Sequence, residues 1–373
     1  MKPNFAVQTF LKVRSALLIG ALLATVGLSP VHADPGGIPA QVAALQQAVQ
    51  MLQQQVGAQN TAIAQLTAVV GSQSGLIGRL ILQNQGLQAK LGCMTKTGDD
   101  VFFTGCKVHV ISGSGATNGS INGLGNLIIG YNESMGGEEP EVRTGSHNLV
   151  IGPYHTYSSF GGLVAGLGNS ITNIYASVTG GALNQASGGF SSVSGGASVI
   201  ASGMYTSGSG GESNVANGTA SSVGGGLLNT ASGWSSSISG GENNIADGFR
   251  SSVSGGESNR ASGDFASVSG GAGNQASGYD SSVSGGHDNT ASGCGASVSG
   301  GTRNTASGSG IRDLQCGASV SGGYFNTASG NGSSVSGGEG NIAAGLWSTV
   351  SGGVGRTAPG LDDWAAGGLF EDF

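Results

Sequence analysis

Two different apolar periods divide this sequence. From residue 38 to residue 92, apolar side chains recur every seven residues in two columns, which is the spacing of the a and d positions of a coiled coil. This segment predicts a helix that associates with other copies of itself. Polar residues within the columns set the register and leave dimer and trimer both open. The columns are Val42, Val49, Val56, Ile63, Val70, Ile77, Asn84 and Leu91, and Leu45, Leu52, Gln59, Leu66, Gln73, Leu80 and Leu87.

From residue 148 onwards the apolar period is longer, first 14 and then 15 residues. Seven extra residues before Val320 interrupt the period once, after which it resumes. Fourteen repeats in register predict a repeat protein, because such regularity does not arise by chance. The apolar column is Val150, Val164, Val178, Val193, Gly208, Val223, Ile238, Val253, Val268, Val283, Val298, Val320, Val335 and Val350.

The consensus repeat, in the register that starts at Ser252, is Ser-Val-Ser-Gly-Gly-x-x-Asn-x-Ala-Ser-Gly-x-x-Ser. The alternation around Val253 is typical of a short strand with its valine facing inwards, and Ala261 provides a second inward side chain. Gly255 and Gly256 permit a tight corner with positive φ, and Gly263 forms the other corner. Two strands and two corners predict one rung of a parallel β-solenoid. Each rung buries so little that its stability depends on stacking with its neighbours.

An asparagine recurs once in most repeats, shortly after the glycine pair. Stacked at the strand spacing of about 4.8 Å, these side chains would hydrogen bond from rung to rung and form an amide ladder. We interpret the column as structural rather than as ligand binding. Its members include Asn184, Asn214, Asn229, Asn244, Asn259, Asn274, Asn289, Asn304, Asn326 and Asn341.

Four cysteines are present, and we predict a structural role for all of them. Cys93 and Cys106 bracket a short segment after the heptad pattern, which suggests a disulfide across a hairpin. Cys294 and Cys316 occupy the same position in consecutive repeats, so a disulfide between them fits the strand spacing and would close the inserted loop. Other pairings are not excluded by the sequence. No CxxC pair and no histidine at zinc-ligand spacing occurs, so we predict no metal and no cofactor.

The first 33 residues have the features of a secretory signal peptide. Lys2, Lys12 and Arg14 precede an apolar run, and a small residue, Ala33, ends the segment. We therefore expect export to the cell surface or beyond, with a mature chain that begins at Asp34. We predict a signal peptide at 1–33, a coiled coil at 38–92, a transition region at 93–147, and solenoid repeats with a C-terminal cap at 148–368.

Charge excludes some partners. The first 33 residues hold three of the 13 basic residues and none of the 20 acidic ones, so the mature chain has 10 basic residues and a net charge of −10. Such a chain does not favour nucleic acid or an anionic membrane surface. The apolar run of the signal is shorter than the roughly 20 residues of a membrane helix, and we expect no membrane span in the mature chain.

The repeat Ser-Val-Ser-Gly-Gly-x-x-Asn-x-Ala-x-Gly resembles the head repeat of YadA-like trimeric autotransporter adhesins, and Asn148-Leu149-Val150-Ile151-Gly152 is the most similar copy. The resemblance covers about residues 126–368. It implies a left-handed parallel β-roll, three chains together, and adhesion at a bacterial surface to a matrix or glycan ligand. No run of alternating strands of roughly ten residues follows near the C-terminus, so we expect no membrane-anchor barrel in this chain.

Other functions were considered. An enzyme, such as a β-helical polysaccharide-cleaving one, is the weakest alternative, because the acidic residues are scattered and His147 and His155 look like solvated loop residues. A solenoid that binds ice or carbohydrate is the stronger alternative, since a Ser-x-Ser rank repeats on one face. The variable corners contain aromatic residues that would serve either as a binding stripe or as packing between chains: Phe190, Tyr205, Trp234, Phe249, Phe265, Tyr279 and Trp347.

Overall fold

The computed structural model describes residues 37–136, 141–308 and 317–367, so the predicted signal peptide lies outside the described residues. The chain divides into two compact units after Val108. The first unit contains helix α1, Ile38–Lys90, of 53 residues. A helix of this length measures about 80 Å. Pro39 lies in its first turn, where the missing N–H costs nothing, and Gly92 follows its last residues.

The apolar columns of α1 are exposed to solvent. Val49 is 47% exposed, Leu66 63% and Leu80 62%. The helix predicted from the heptads is therefore present, while its pairing with other helices stays a prediction. After the helix, strands β1 (Met94–Thr97) and β2 (Asp100–Phe103) form an antiparallel hairpin. A disulfide between Cys93 and Cys106, with Cα atoms 5.9 Å apart, joins the two ends of this hairpin.

The second unit is a parallel β-solenoid of about 14 rungs, as the repeats predicted. Each rung contributes one strand to each of two sheets, so the strands of a sheet alternate in chain order. The 16-stranded sheet contains β3 (Leu127–Ile129), β4 (Leu149–Ile151), β6 (Leu163–Ala165), β8 (Ser177–Val178), β10 (Ser192–Val193), β12 (Ser207–Gly208), β14 (Ser222–Val223), β16 (Ser237–Ile238), β18 (Ser252–Val253), β20 (Ser267–Val268), β22 (Ser282–Val283), β24 (Ser297–Val298), β26 (Ser319–Val320), β28 (Ser334–Val335), β30 (Thr349–Val350) and β32 (Trp364–Ala365).

The other sheet has 14 strands. They are β5 (Thr156–Tyr157), β7 (Ser170–Ile171), β9 (Gln185–Ala186), β11 (Ile200–Ala201), β13 (Val215–Ala216), β15 (Thr230–Ala231), β17 (Ile245–Ala246), β19 (Arg260–Ala261), β21 (Gln275–Ala276), β23 (Thr290–Ala291), β25 (Thr305–Ala306), β27 (Thr327–Ala328), β29 (Ile342–Ala343) and β31 (Thr357–Ala358). The pairing β3–β4 places the start of the stack inside the predicted transition region.

Register follows the sequence repeat. Ser252 pairs with Ser267 and Val253 with Val268, so each residue lies beside its counterpart in the next rung. The inward valine and alanine columns are almost completely buried, with Val253 1% and Ala261 0% exposed. Because the strands have only two or three residues, the core is a narrow double column that runs along the stack. Left-handed winding stays a prediction.

The two corners of a rung use glycine for different reasons. At the first corner Gly256 has φ +86°, while its neighbour Gly255 does not adopt positive φ. At the second corner Gly263 also lacks positive φ; a Cβ there would collide with the carbonyl of Gly278 in the next rung. The left-handed residue of that corner is instead Phe265, with φ 62°. The glycine at this corner is therefore required by close stacking rather than by φ.

Two consecutive repeats each depart from the pattern once, and the two departures compensate each other. Gly208 occupies the valine column, and Val199 occupies the asparagine column of the preceding repeat. Val199 is 1% exposed, and its Cγ1 lies 2.6 Å from where a Cβ on Gly208 would be. The valine therefore fills the space that the glycine leaves. The buried core accordingly separates into two clusters, one ending at Ala201 and the other beginning at Ala216.

Candidate interaction surfaces of the solenoid

The asparagine column is buried and holds neighbouring rungs together. Asn274 is 1% exposed, and its Nδ2 donates to the carbonyls of Gly270 in its own rung and Gly286 in the next, both at 2.9 Å. Its Oδ1 accepts the backbone N–H of Asn289 at 3.0 Å. The ladder is thus made mainly between side-chain amides and backbone groups, whereas the sequence suggested contacts between the amides themselves. Asn229, Asn244, Asn259, Asn289 and Asn304 have the same three kinds of partner.

His155 takes the place of asparagine in an early rung. Its Nδ1 accepts the N–H of Asn169 at 3.1 Å, and its Nε2 lies 2.9 Å from the carbonyl of Ile151. His155 is 0% exposed, so its interpretation as a solvated loop residue was wrong. His147 is half-buried, and its Nε2 accepts the N–H of Ser112 at 3.0 Å. Both rings are thus engaged with backbone groups.

A double row of serines covers the outer face of the 16-stranded sheet. In each regular rung one serine precedes the inward valine and another follows it, as at Ser252 and Ser254. From Ser192 to Ser321 no hydroxyl of these rows hydrogen bonds to another group in the described residues; the first that does is Ser334, 3.1 Å from the hydroxyl of Thr349. The rows repeat at about 4.8 Å between rungs and about 6.6 Å along each rung. This face presents a regular array of available hydroxyls.

Aromatic side chains line the second corner of the rungs, and most of them are in contact with a ring in the next rung. Tyr175 and Phe190 stack with centroids 5.3 Å apart, and Phe190 and Tyr205 at 5.2 Å. After a gap, Trp234 and Phe249 stack at 4.8 Å. We call these rings the aromatic corner: Phe160, Tyr175, Phe190, Tyr205, Trp234, Phe249, Phe265 and Tyr279.

The direction of stacking limits what the aromatic corner binds. Successive rings are nearly parallel in places, with interplanar angles of 17° for Phe190 and Tyr205 and 6° for Trp234 and Phe249. Where successive rings are parallel, each ring covers its neighbour's face and leaves an edge to solvent. Other contacts are edge-to-face, with interplanar angles of 83° for Phe160 and Tyr175 and 72° for Phe249 and Phe265. A flat ligand has access to a ring face where no neighbouring ring stacks on it.

The first corner, after the glycine pair, is more polar. Glu212, Glu242 and Glu257 occupy one column there. Towards the C-terminus, the guanidinium carbon of Arg303 lies 5.3 Å from the centroid of the Phe325 ring, and Arg303 Nε lies 3.6 Å from a carboxylate oxygen of Asp288. This arginine is thus both stacked and ion-paired.

The remaining predicted site residues are cysteines. Cys294 is in a disulfide, and its predicted partner Cys316 lies outside the described residues. Across residues 37–136, 141–308 and 317–367, no group of three or more His, Cys, Asp or Glu side chains is placed to hold a metal ion. Within the same ranges no helix is long and apolar enough to span a bilayer.

The fold therefore defines the chain as a mainly β protein, a parallel β-solenoid that follows a single long helix in the sequence. No protein-family model matches the chain, and no curated protein matches it. The surfaces described above are the basis for its function.

Proposed function

We propose that this chain is an exported, non-catalytic adhesive protein whose helices associate, as a homotrimer, to present several solenoids together. The observation that supports this most directly is the register of the stack: equivalent positions of successive rungs lie side by side over the 16 strands of one sheet. Such a surface offers many weak contacts of the same kind, which suits adhesion to a polymeric or repetitive target. The proposed target of adhesion is a matrix component or a glycan.

Self-association is proposed from the exposed seam of α1. Val49, Leu52 and Val56 are 47%, 38% and 51% exposed. Each such side chain gains about 1.5–3 kcal/mol when it is fully buried. Pairing along the whole seam is therefore strongly favourable in water. Three chains are proposed because of the resemblance to trimeric adhesin heads.

Presenting several solenoids on one helical assembly would raise the strength of adhesion. Once one solenoid binds an immobilised target, the others bind from a high effective concentration, and avidity can exceed the single affinity by about 10²–10⁴. Weak sites on the solenoid then suffice for firm attachment. The helix and the solenoid thus have complementary roles in the proposed function.

The test uses the mature chain and a Val49→Asp, Leu52→Asp variant, with Glu212→Gln as a matched surface control on the solenoid. Sedimentation should give a trimer for the mature chain and the control, and a monomer for the seam variant. Beads coated with the trimer should adhere to mucin- or collagen-coated surfaces more than to bare ones, and beads coated with the monomer should not. A wild-type monomer, or equal adhesion of all three proteins, would refute the proposal.

A second function, binding to ice, is favoured by the two serine rows from Ser192 to Ser321, whose hydroxyls have no hydrogen-bond partner among the residues that the structure describes. A flat array of hydroxyls at fixed spacing could match ordered water at a crystal face. Inhibition of ice recrystallisation by the mature chain, lost on replacing Ser237, Ser252 and Ser267 with Lys, would support this function over adhesion.

A further inference from the structure

The aromatic corner is interrupted at one place, and the interruption forms a notch. Each rung places two variable residues at this corner, the second in the left-handed conformation. In three successive rungs this second residue is Tyr205, Ala220 (φ 58°) and Ser235 (φ 54°), followed by Arg250 (φ 53°). Two small side chains therefore lie between two large ones. From the Tyr205 rung to the Arg250 rung is three strand spacings, about 14 Å.

The walls of the notch are aromatic. Tyr205 ends the first pile of rings, and among the described residues no ring lies against it on the Ala220 side. It is 57% exposed, against 44% for Phe190 within the pile. Trp234 begins the second pile with Phe249 stacked on its other side, and it is 45% exposed. The notch is thus a place where, among the described residues, no other ring stacks between Tyr205 and Trp234.

Arg250 closes the C-terminal end of the notch. Its guanidinium carbon lies 5.4 Å from the Trp234 ring centroid, 5.3 Å from that of Phe249 and 6.0 Å from that of Phe265. Stacking of this kind uses the flat face of the guanidinium and leaves its in-plane N–H donors available. No carboxylate within the described residues forms an ion pair with it. Asp264, in the next rung, accepts the N–H of Phe249 at 3.2 Å.

An exposed, rigidly held arginine beside open aromatic faces is suited to a ring that carries a carboxylate. A pyranose presents a face of C–H groups that packs on an aromatic ring, and a carboxylate forms a bidentate pair with a guanidinium. A ligand with a single negative charge also suits this chain. The whole sequence has a net charge of −7, so it repels a polyanion more strongly than it repels a sugar with one carboxylate.

We propose that the notch formed by Tyr205, Ala220, Trp234, Ser235 and Arg250 binds a carboxylated sugar, of the sialic or uronic acid type, at the end of a glycan. The sugar ring contacts Tyr205 and Trp234, and its carboxylate pairs with Arg250. This inference deepens the proposed adhesive function by naming a class of ligand. It requires only one solenoid, so it is tested independently of self-association.

The experiment measures binding of the full mature chain to three soluble probes by calorimetry at low salt. The probes are 3′-sialyllactose, a disaccharide ending in glucuronic acid, and lactose, which lacks the carboxylate. Arg250→Gln removes the charge, and Ala220→Phe fills the notch. Phenylalanine is compatible with this position, because Phe190 and Phe265 adopt the same left-handed conformation at the equivalent position of other rungs. Arg303→Gln is the matched control, since Arg303 is also stacked on a ring but already has an acidic partner.

We expect at least one acidic probe to bind with a millimolar or tighter dissociation constant and lactose at least ten-fold more weakly. Arg250→Gln should weaken the acidic probe at least ten-fold, Ala220→Phe should abolish binding with unchanged thermal unfolding, and Arg303→Gln should bind like the parent chain. Preference between the two acidic probes identifies the sugar. Equal binding of lactose, unchanged binding by both notch variants, or no binding of either acidic probe would overturn the proposal. The last result, with an intact trimer in sedimentation, would leave self-association standing.

Discussion

The compensating pair Val199 and Gly208 provides a quantitative test of how the rungs pack. Two single variants, Val199→Asn and Gly208→Val, each restore one position to the repeat pattern, and the double variant restores both. We expect the singles to be destabilised and the double to be more stable than the parent chain. Each change alone therefore lowers the stability, whereas the two together raise it, and additive effects do not produce this result.

The magnitudes follow from the packing. A Cβ on Gly208 lies 2.6 Å from Val199 Cγ1, so Gly208→Val overpacks the core and costs about 1–3 kcal/mol. Val199→Asn removes a buried valine opposite a glycine, with a burial term of about 1.5–3 kcal/mol, partly offset by new ladder bonds. In the double variant, the asparagine restores the ladder and the valine fills the core. We expect a coupling free energy of about 2–3 kcal/mol.

The assay is thermal unfolding of the four full-length proteins by circular dichroism. One kcal/mol corresponds to roughly 2–4 °C for a domain of this size. Hydrogen exchange at Asn214 gives an independent measure, because its buried N–H has no acceptor among the described residues and the amide introduced by Val199→Asn would supply one. Additive shifts, with coupling below about 0.5 kcal/mol, would refute the compensation. So would unchanged exchange at Asn214 in the double variant.

Three further predictions concern single positions. Asn274→Ala should lower the free energy of unfolding by about 3 kcal/mol, because three hydrogen bonds between the side chain and the backbone are lost; a loss under about 0.5 kcal/mol in chemical denaturation would contradict it. Ser236→Ala should be neutral or slightly stabilising, because the buried hydroxyl has no hydrogen-bond partner and alanine occupies the same column at Ala266 and Ala296; a lower melting temperature would contradict it. Hydrogen bonds from Ser134 and Met135 hold the pKa of Glu141 at about 2, below its ordinary 4.5. Because the pKa is lowered in the folded chain, these contacts contribute fully above about pH 4.5 and are lost as the pH falls through about 2. An NMR titration of the Glu141 carboxyl with its midpoint near 4.5 would contradict this prediction.

Much of the solenoid was predictable because each residue has the same neighbours in every rung. The 15-residue period identifies Val253 and Val268 as stacked, and the structure pairs them in that register. The alternation of polar and apolar residues around Val253 predicts that this valine faces inwards, and its side chain is buried. The helix at Ile38–Lys90 was also predicted from a regular period, because apolar residues that recur every seven positions lie along one face of a helix.

His155 and Val199 were not recognised, because each is an exception to its column. A histidine takes the asparagine position only if its two ring nitrogens meet the same donor and acceptor, which the distances to Asn169 and Ile151 show. Val199 gains its role from Gly208, nine positions further along the chain and across the rung. The signal that could have revealed it was the coincidence of two departures in consecutive repeats.

The notch also required the structure, although all its residues lie in recognised variable positions. The sequence shows that aromatic residues are frequent at the second corner, and by itself it determines the repeat length, the inward columns and the exposed heptad seam. It does not show whether neighbouring rings expose faces or edges, because that depends on side-chain torsions set by contacts between rungs. Only the tertiary structure places Tyr205 at the end of one pile, Trp234 at the start of the next, and Arg250 over both Trp234 and Phe249. Periodicity reports backbone stacking, which every rung shares, whereas a binding surface arises where the side chains break that period.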